Sequence, residues 1–413
     1  MIYEYNKESR KEIIPENVTH VRFHPSVVQI EDEAFRDCTK LRDVVLNEGL
    51  LSMSKAVFSG CTSLESITLS STISEIGNHA FDGCINLKDI VFNEGLQMIG
   101  SHVFYGCKSL QRSDLPSTLI EIGNSAFGYC TQLKEVVFNG GLQIIRCYAF
   151  DRCNSLRRVT LPSTVSEVQW QVFYGCNNLR EVLLNEGLQR IGHKAFFNCS
   201  SLPCITFPST VTEVEEESFS GCSQLTKVVL KEGTKKIGLA AFEGCSFESI
   251  SLPSTVTEIG IRAFGSCRHY YPELNSIPKK VASAYYGNAF DRCSSLDRFT
   301  FPNLSLRLEA ITKAGQTEVE NKIDQIPHLG RRGSEIHILA PTQSPNPWFS
   351  VKASLDKTAR LIAYYEMKEA TTLFELALWK EKIDQATSIS TENRVAYRIE
   401  VPGPVKDTIL QYI

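Results

Sequence analysis

A Phe followed three residues later by a Cys recurs twelve times along this chain, from Phe35/Cys38 through Phe81/Cys84 to Phe290/Cys293. The first ten of these Phe are 23 residues apart without exception, Phe264 follows after 22 and Phe290 after 26. A fixed period of this length restricts the chain to an architecture in which each unit lies on the one before it. One unit reads "NHAFDGCINLKDIVFNEGLQMIG" (78–100). Its general form is A-F-x-x-C-x-x-L-x-x-V-x-L, then a polar turn, then an Ile near "IG". In "LKDIVF", Leu87, Ile90 and Phe92 take inward positions while Asp89 and Val91 point outward, the period of a strand. "MIG" (98–100) forms a second short extended wall. The A-F-x-x-C segment is a tight turn or one helical turn that packs Phe81 and Cys84 inward. A degenerate half-unit, "VTHVRFHPSVVQI" (18–30), precedes in phase. The half-dozen apolar side chains of one unit cannot offset the entropy of ordering 23 residues, so no unit folds alone. Stacked units share strand hydrogen bonds and one core. At about 4.8 Å per rung, a dozen rungs make a rod about 55 Å long.

The cysteines admit four readings: disulfide framework, metal store, redox device or structural wall. Stacked Cys one rung apart are close enough for a disulfide, but each has two equivalent neighbours. The N-terminus, "MIYEYNKESRKEIIPENV", has no apolar signal region, which points to a reducing compartment. There is no C-x-x-C, and the eight His keep no register, so a metal site has no support. Cysteine packs as a small hydrophobe, and a buried thiol ladder is the expectation. Cys147 and Cys204 stand off the register, and Cys204, outward on a strand, is expected to react first.

A second period, of 46, overlies the first. The polar turn alternates between "NEGL" (47–50, 93–96, 185–188) and "LPST" (115–118, 161–164, 252–255), with close variants at the remaining turns. Gly suits one turn and Pro, lacking a ladder donor, the other. The outward strand positions alternate as well. One column reads Asp43, Ser66, Asp89, Arg112, Glu135, Arg158, Glu181, Cys204, Lys227; the other holds Val45, Val91, Val137, Leu183 and Val229 on every second rung. Like charges on adjacent rungs repel, and the 46-residue period sets Arg112 and Arg158 between acids. Two readings stand side by side: a self-neutralised solvated sheet, or a face on which apolar spots among charges meet a partner.

A period of 20–29 residues carrying L-x-x-L-x-L is that of a leucine-rich solenoid. "LPSTVSEV", "LPSTVTEIGIRAFGSC" and "AFDGCINLKDIVF" resemble the BspA-like class of leucine-rich repeats, over roughly residues 18–302. The resemblance implies a solenoid used for protein binding, often in surface or adhesion proteins. The ending, with "KEATTLFELALWK" and "VPGPVKDTILQY", resembles that of a group of diatom leucine-rich repeat proteins with a helical C-terminal tail.

The repeat slips at "RHYYPELNSIPKKVASAYYGN" (268–288), where Tyr270 and Tyr271 lie among basic residues and offer a contact edge, unless the tyrosines simply fill the turn. Beyond Phe301 the period is gone. "LRLEAITKAGQTEVENKIDQI" (306–326) reads as a helix, "EIHILAP" (335–341) as a short strand or extended piece, 354–386 as one or two helices and 397–413 as a strand, a turn and a final helix. Trp348 and Trp379 read as core residues of this part. The expected fold is therefore a lead-in (1–17), a leucine-rich repeat solenoid (18–302) with a β-strand plus a short turn or helical segment per unit, wound as a right-handed curved rod, and a small mainly α-helical capping and interaction module (303–413).

Phosphate loops, nucleophile elbows and zinc helices are missing, "GRRGSE" (330–335) being too short for a Walker loop, so neither enzyme activity nor a cofactor is expected. With 43 Lys+Arg against 47 Asp+Glu there is no basic excess for nucleic acid, and no apolar run is long enough to span a membrane. The expected function is a non-enzymatic, cytoplasmic scaffold for a protein partner, bound at Val45, Asp89, Val91, Arg112, Glu135, Val137, Arg158, Glu181, Leu183, Val229, Tyr270 and Tyr271. The alternative is a cell-surface adhesion or receptor-type repeat protein.

Overall fold

The computed structural model describes residues 1–6, 14–15, 17–247, 249–253 and 255–267, and beyond these 317, 321, 329–332 and 335–338. The chain divides into two units, Met1–Thr300 and Phe301–Ile413.

The first unit is a parallel β-solenoid. Its front ladder starts with His20–Phe23 and Asp43–Val45 and climbs through strands such as Asp89–Val91, Arg112–Asp114, Glu135–Val137, Arg158–Thr160 and Glu181–Leu183 to Ser249–Ser251. All its pairs are parallel, and the register is the sequence period: Ser66 lies beside Asp89 and Arg158 beside Glu181. The offset drops to 22 at Lys227 and Ser249, where the repeat itself shortens. The central residue of each strand is buried and its two neighbours face out, as for Asp89, Ile90 and Val91. The lead-in holds a strand that the period did not foretell. Ile2–Tyr5 pairs in parallel with His20–Phe23, and the Tyr5 ring lies 5.1 and 5.5 Å from Phe23 and Phe35. A second ladder of two-residue strands runs from Gln29–Ile30 to Glu258–Ile259, with the second residue of each buried.

The A-F-x-x-C segment is a turn, and it builds a third wall. The N–H groups of His79, Phe81 and Gly83 donate to the carbonyls of Ser101, Val103 and Tyr105 on the next rung, at 2.8, 2.9 and 2.8 Å. A helical turn would direct them back along its own chain. To aim them forward, the residues two before and two after each Phe take left-handed backbone, as in His79 (φ 60°) and Gly83 (φ 71°). Glycine fills the later position in Gly60, Gly83, Gly106, Gly175, Gly221 and Gly244, where a positive φ carries no Cβ penalty.

Between the walls, the rings of Phe35, Phe58 and Phe81 begin a column of stacked phenyls that continues rung by rung to Phe242 and Phe264, with centroids 5.0–5.7 Å apart. Beside it runs the cysteine column. Each thiol from Cys61 to Cys267 donates to the carbonyl of the Phe in the preceding rung, as Cys84 does to Phe58 and Cys130 to Phe104, both at 3.1 Å. That carbonyl already accepts the N–H of its own rung's Cys, so the thiol supplies its second bond without a larger polar group. Burial pushes the Cys84 and Cys222 thiols up to about 12, which keeps the S–H proton in place. The described cysteines are all free.

The 46-residue alternation is a side-chain lattice between turns. In the "NEGL" rung, Glu94 accepts from the N–H and hydroxyl of Ser117 (3.2 and 2.9 Å), and the Gly95 N–H donates to the Thr118 hydroxyl at 3.0 Å. Thr118 in turn donates to the Leu96 carbonyl at 2.9 Å. On the other side Asn139 and Asn185 donate to the carbonyls of Leu115 and Leu161 in the rung before (2.5 and 2.6 Å). Each turn type thus satisfies the other, and neither could be stacked on itself with the same bonds. Gly95 has φ 118°, and a Cβ there would lie 2.8 Å from the Ser71 carbonyl oxygen.

In the second unit, Leu329–Arg332 pairs antiparallel with Glu335–Ile338, so the strand or extended piece expected at 335–341 is a strand over Glu335–Ile338. Thr317 and Asn321, within the expected helix at 306–326, are helical. The regular element among the described residues here is this hairpin, not a helical module. The helices expected at 354–386 and 397–413, with Trp348 and Trp379, lie outside the described residues.

Candidate interaction surface

The front ladder brings the strand residues together as two outward columns. Because the buried central residue of each strand fixes its neighbours outward, every rung presents two side chains about 6.6 Å apart along the strand. Val45, Val91 and Leu183 are 49, 50 and 46 % exposed, and Val137 and Val229 are half-buried. Thr68 and Thr160 lie on the rungs between. In the charged column, Arg112 meets Glu135 across one rung step at 2.5 Å and Asp114 within its own strand at 2.8 Å. Arg158 meets Glu181 at 2.7 Å. The Asp114 carboxylate, then that of Glu135, holds the Arg112 guanidinium above its usual range. Asp89 is exposed beside Ser66. Tyr270 and Tyr271 lie outside the described residues.

Two features escaped the sequence reading. One position before the charged column, Lys134, Arg157 and Arg180 stack on three successive rungs, all exposed. Among the described residues no carboxylate lies within ion-pair distance of any of them; the Lys134 ammonium bonds the Gln111 side chain at 3.2 Å. Reading each column at the 23-residue offset would have found them. The second feature is on the turn wall. His79 and His102 stack at 4.7 Å, Tyr105 lies 5.4 Å from His102 and 5.3 Å from Tyr129, and Arg152 sits over both Tyr129 and Tyr174. His79 also meets Asp82 at 2.9 Å. Burial, and then the neighbouring His79, lowers the His102 pKa. Burial raises Asp151, below this stripe, to about 6. His79 and His102 stack at the rung spacing, while the Tyr105 ring is tilted against both His102 and Tyr129.

Cys204 is exposed on the front ladder in register with Lys227, while Cys147 is half-buried, its thiol 3.6 Å from the Gln169 side-chain oxygen. Among the described residues no cluster of His, Cys, Asp and Glu is arranged to hold a metal ion, and no helix is long and apolar enough to cross a membrane. The surface has the means to bind by burial and ion pairing.

Comparison with solved structures finds a leucine-rich repeat protein from Bacteroides ovatus at 24% identity, covering 59% of this chain and 84% of that one with a TM-score of 0.36. The leucine-rich repeat protein of T. pallidum is 30% identical over 45% of this chain and 78% of its own, with a TM-score of 0.35. A leucine-rich cell surface protein from Faecalibacterium prausnitzii is 17% identical over 71% and 86%, also at 0.35. No curated protein matches the chain. The BspA type leucine rich repeat region matches residues 15–134, 97–226 and 215–314, in six copies. With the stacked parallel rungs and their Phe–Cys wall, this places the chain in the BspA type leucine-rich repeat family.

Proposed function

We propose that the protein is a non-enzymatic interaction scaffold whose front strand face binds a protein partner. One observation carries the reading: Val45, Val91 and Leu183 stand half-exposed on a face where Arg112 and Arg158 are already paired with Glu135 and Glu181. Docking then covers ion pairs that remain paired, and the aliphatic spots supply the gain from burial. The contact residues on this reading are Val45, Asp89, Val91, Arg112, Glu135, Val137, Arg158, Glu181, Leu183 and Val229. On the same reading Tyr270 and Tyr271, at the repeat's slip, extend them. Replacing Val91 and Leu183 together by Asp tests the face. Capture of the partner is expected to be lost with the thermal midpoint unchanged, and capture that survives overturns the assignment.

The compartment belongs to the same proposal. The thiol column works through S–H donors, which favours a reducing cytoplasm over the surface-adhesin alternative. Fourteen titratable thiols in the denatured, unreduced protein are expected. Several disulfides would instead favour the surface role.

A further inference from the structure

We infer that the segment bound by the strand face is an amphipathic α-helix with an acidic flank, lying along the direction in which the rungs stack. This rests on the strand face being the binding face, and adds the chemistry of what it binds.

The spacing of the apolar spots gives the first argument. On the alternate rungs Val91 is followed by Phe92, Val137 by Phe138 and Leu183 by Leu184, each pair leaving apolar surface in reach of solvent. Rungs are about 4.8 Å apart, so these spots recur at about 9.6 Å. Seven residues of α-helix rise about 10.5 Å. A helix with one apolar residue in seven therefore meets three successive spots with a total drift of about 2 Å, within the reach of a side chain. An extended segment repeats each face at about 6.6 Å and falls out of step at the first interval.

Charge gives the second argument, independently of the first. The column with Arg112, Glu135, Arg158 and Glu181 alternates in sign and neutralises itself. The column of Lys134, Arg157 and Arg180 does not: three cations stand on consecutive rungs at about 4.8 Å, an arrangement that repels itself unless anions are brought from outside. Lys134, Arg157 and Arg180 each stand immediately before their strand, three residues and at most about 10 Å from the apolar column. An α-helix with its side chains is about 10–12 Å across. One helix thus covers both columns, with its apolar stripe over Val91, Val137 and Leu183 and its flank over the cations. Acidic residues at three- and four-residue intervals on that flank meet the successive cations.

The test is a selection from a displayed library of helical peptides, with surface positions randomised, against the full-length protein. Enriched peptides are expected to carry an apolar residue every seventh position and at least two Asp or Glu along one flank. Binding of an enriched peptide is expected to weaken at least about tenfold in the Arg157→Glu/Arg180→Glu variant, and to weaken as salt is raised from about 50 to about 300 mM. The milder Arg157→Gln/Arg180→Gln variant gives a smaller loss in the same direction and controls for misfolding. Peptides that bind the strand face, lost with Val91→Asp/Leu183→Asp, but are neutral, basic or indifferent to the arginines overturn this inference and leave the binding face standing. Enriched peptides indifferent to Val91→Asp/Leu183→Asp overturn the binding face itself. Failure to enrich any acidic helix also counts against the inference.

Discussion

The Phe–Cys wall and the strand face are built from the same repeat, yet one is uniform and the other varies. In the wall, every Phe from Phe35 to Phe264 stacks on its neighbours, and the thiols from Cys61 to Cys267 bond the preceding Phe carbonyl. A residue there meets copies of itself above and below, so any change of size is felt twice. On the strand face a residue identical to its neighbours is tolerated only if it is uncharged, since like charges in register repel. The face therefore alternates Arg with Glu, and aliphatic residues with Thr or, at Asp114, a carboxylate. Uniformity marks what the rungs do for each other. Three like cations in a row, Lys134, Arg157 and Arg180, break the alternation of the face, and the proposed acidic helix answers that break.

This contrast can be broken by substitution. Phe127→Ala, in the middle of the stack, is expected to cost about 3–5 kcal/mol in urea unfolding, because neighbours locked in their own stacks cannot close the cavity. Cys130→Ala removes a buried sulfur and one bond to the Phe104 carbonyl, at about 1–2 kcal/mol. Thr118→Val leaves the Gly95 N–H and the Leu96 carbonyl short of a partner and is expected to cost about 1–2 kcal/mol by the same measurement, although its volume is kept.

Asp151→Asn sharpens the comparison in the opposite direction. Burial raises this carboxyl from its ordinary range to about 6. An acid whose folded pKa is raised binds more protons folded than unfolded, so stability falls as pH rises from about 4 through 6. Removing the charge is expected to stabilise the protein by about 1 kcal/mol at pH 7.5, a figure discounted for the carboxyl's partial exposure. The gain should fade by pH 4. The smallest stability change, under about 0.5 kcal/mol, is expected for Val91→Asp with Leu183→Asp, whose side chains are half in water already.

The period alone exposed the stacked rungs, the inward Leu87 and Ile90, the outward Asp89 and Val91 and the buried thiols, because each depends on a neighbour one repeat away. The third wall was not legible. Its left-handed positions before each Phe hold Glu33, His79, Tyr148 or Lys194, none of which signals a positive φ. The alternation of "NEGL" and "LPST" was visible, but it was read as Gly and Pro serving two separate turns. Its cause is reciprocal bonding between Glu94 and Ser117 and between Gly95 and Thr118, residues 23 apart. In the ending, where no period exists, the strand at Glu335–Ile338 lies within the piece read as extended, while its partner Leu329–Arg332 was hidden in a Gly- and Arg-rich run. Of the candidate site, the apolar spots and the paired charges were legible; the unpaired cations, one column over, were not.

The central claim is that the strand face, and not the aromatic turn wall, meets the partner. A photo-reactive amino acid placed at Val91 or Leu183, and in parallel at Tyr148 or Trp170 on the turn wall, tests it directly. Cross-links to the partner from Val91 and Leu183, and none from Tyr148 or Trp170, are predicted. Cross-links from the turn-wall positions alone would contradict it.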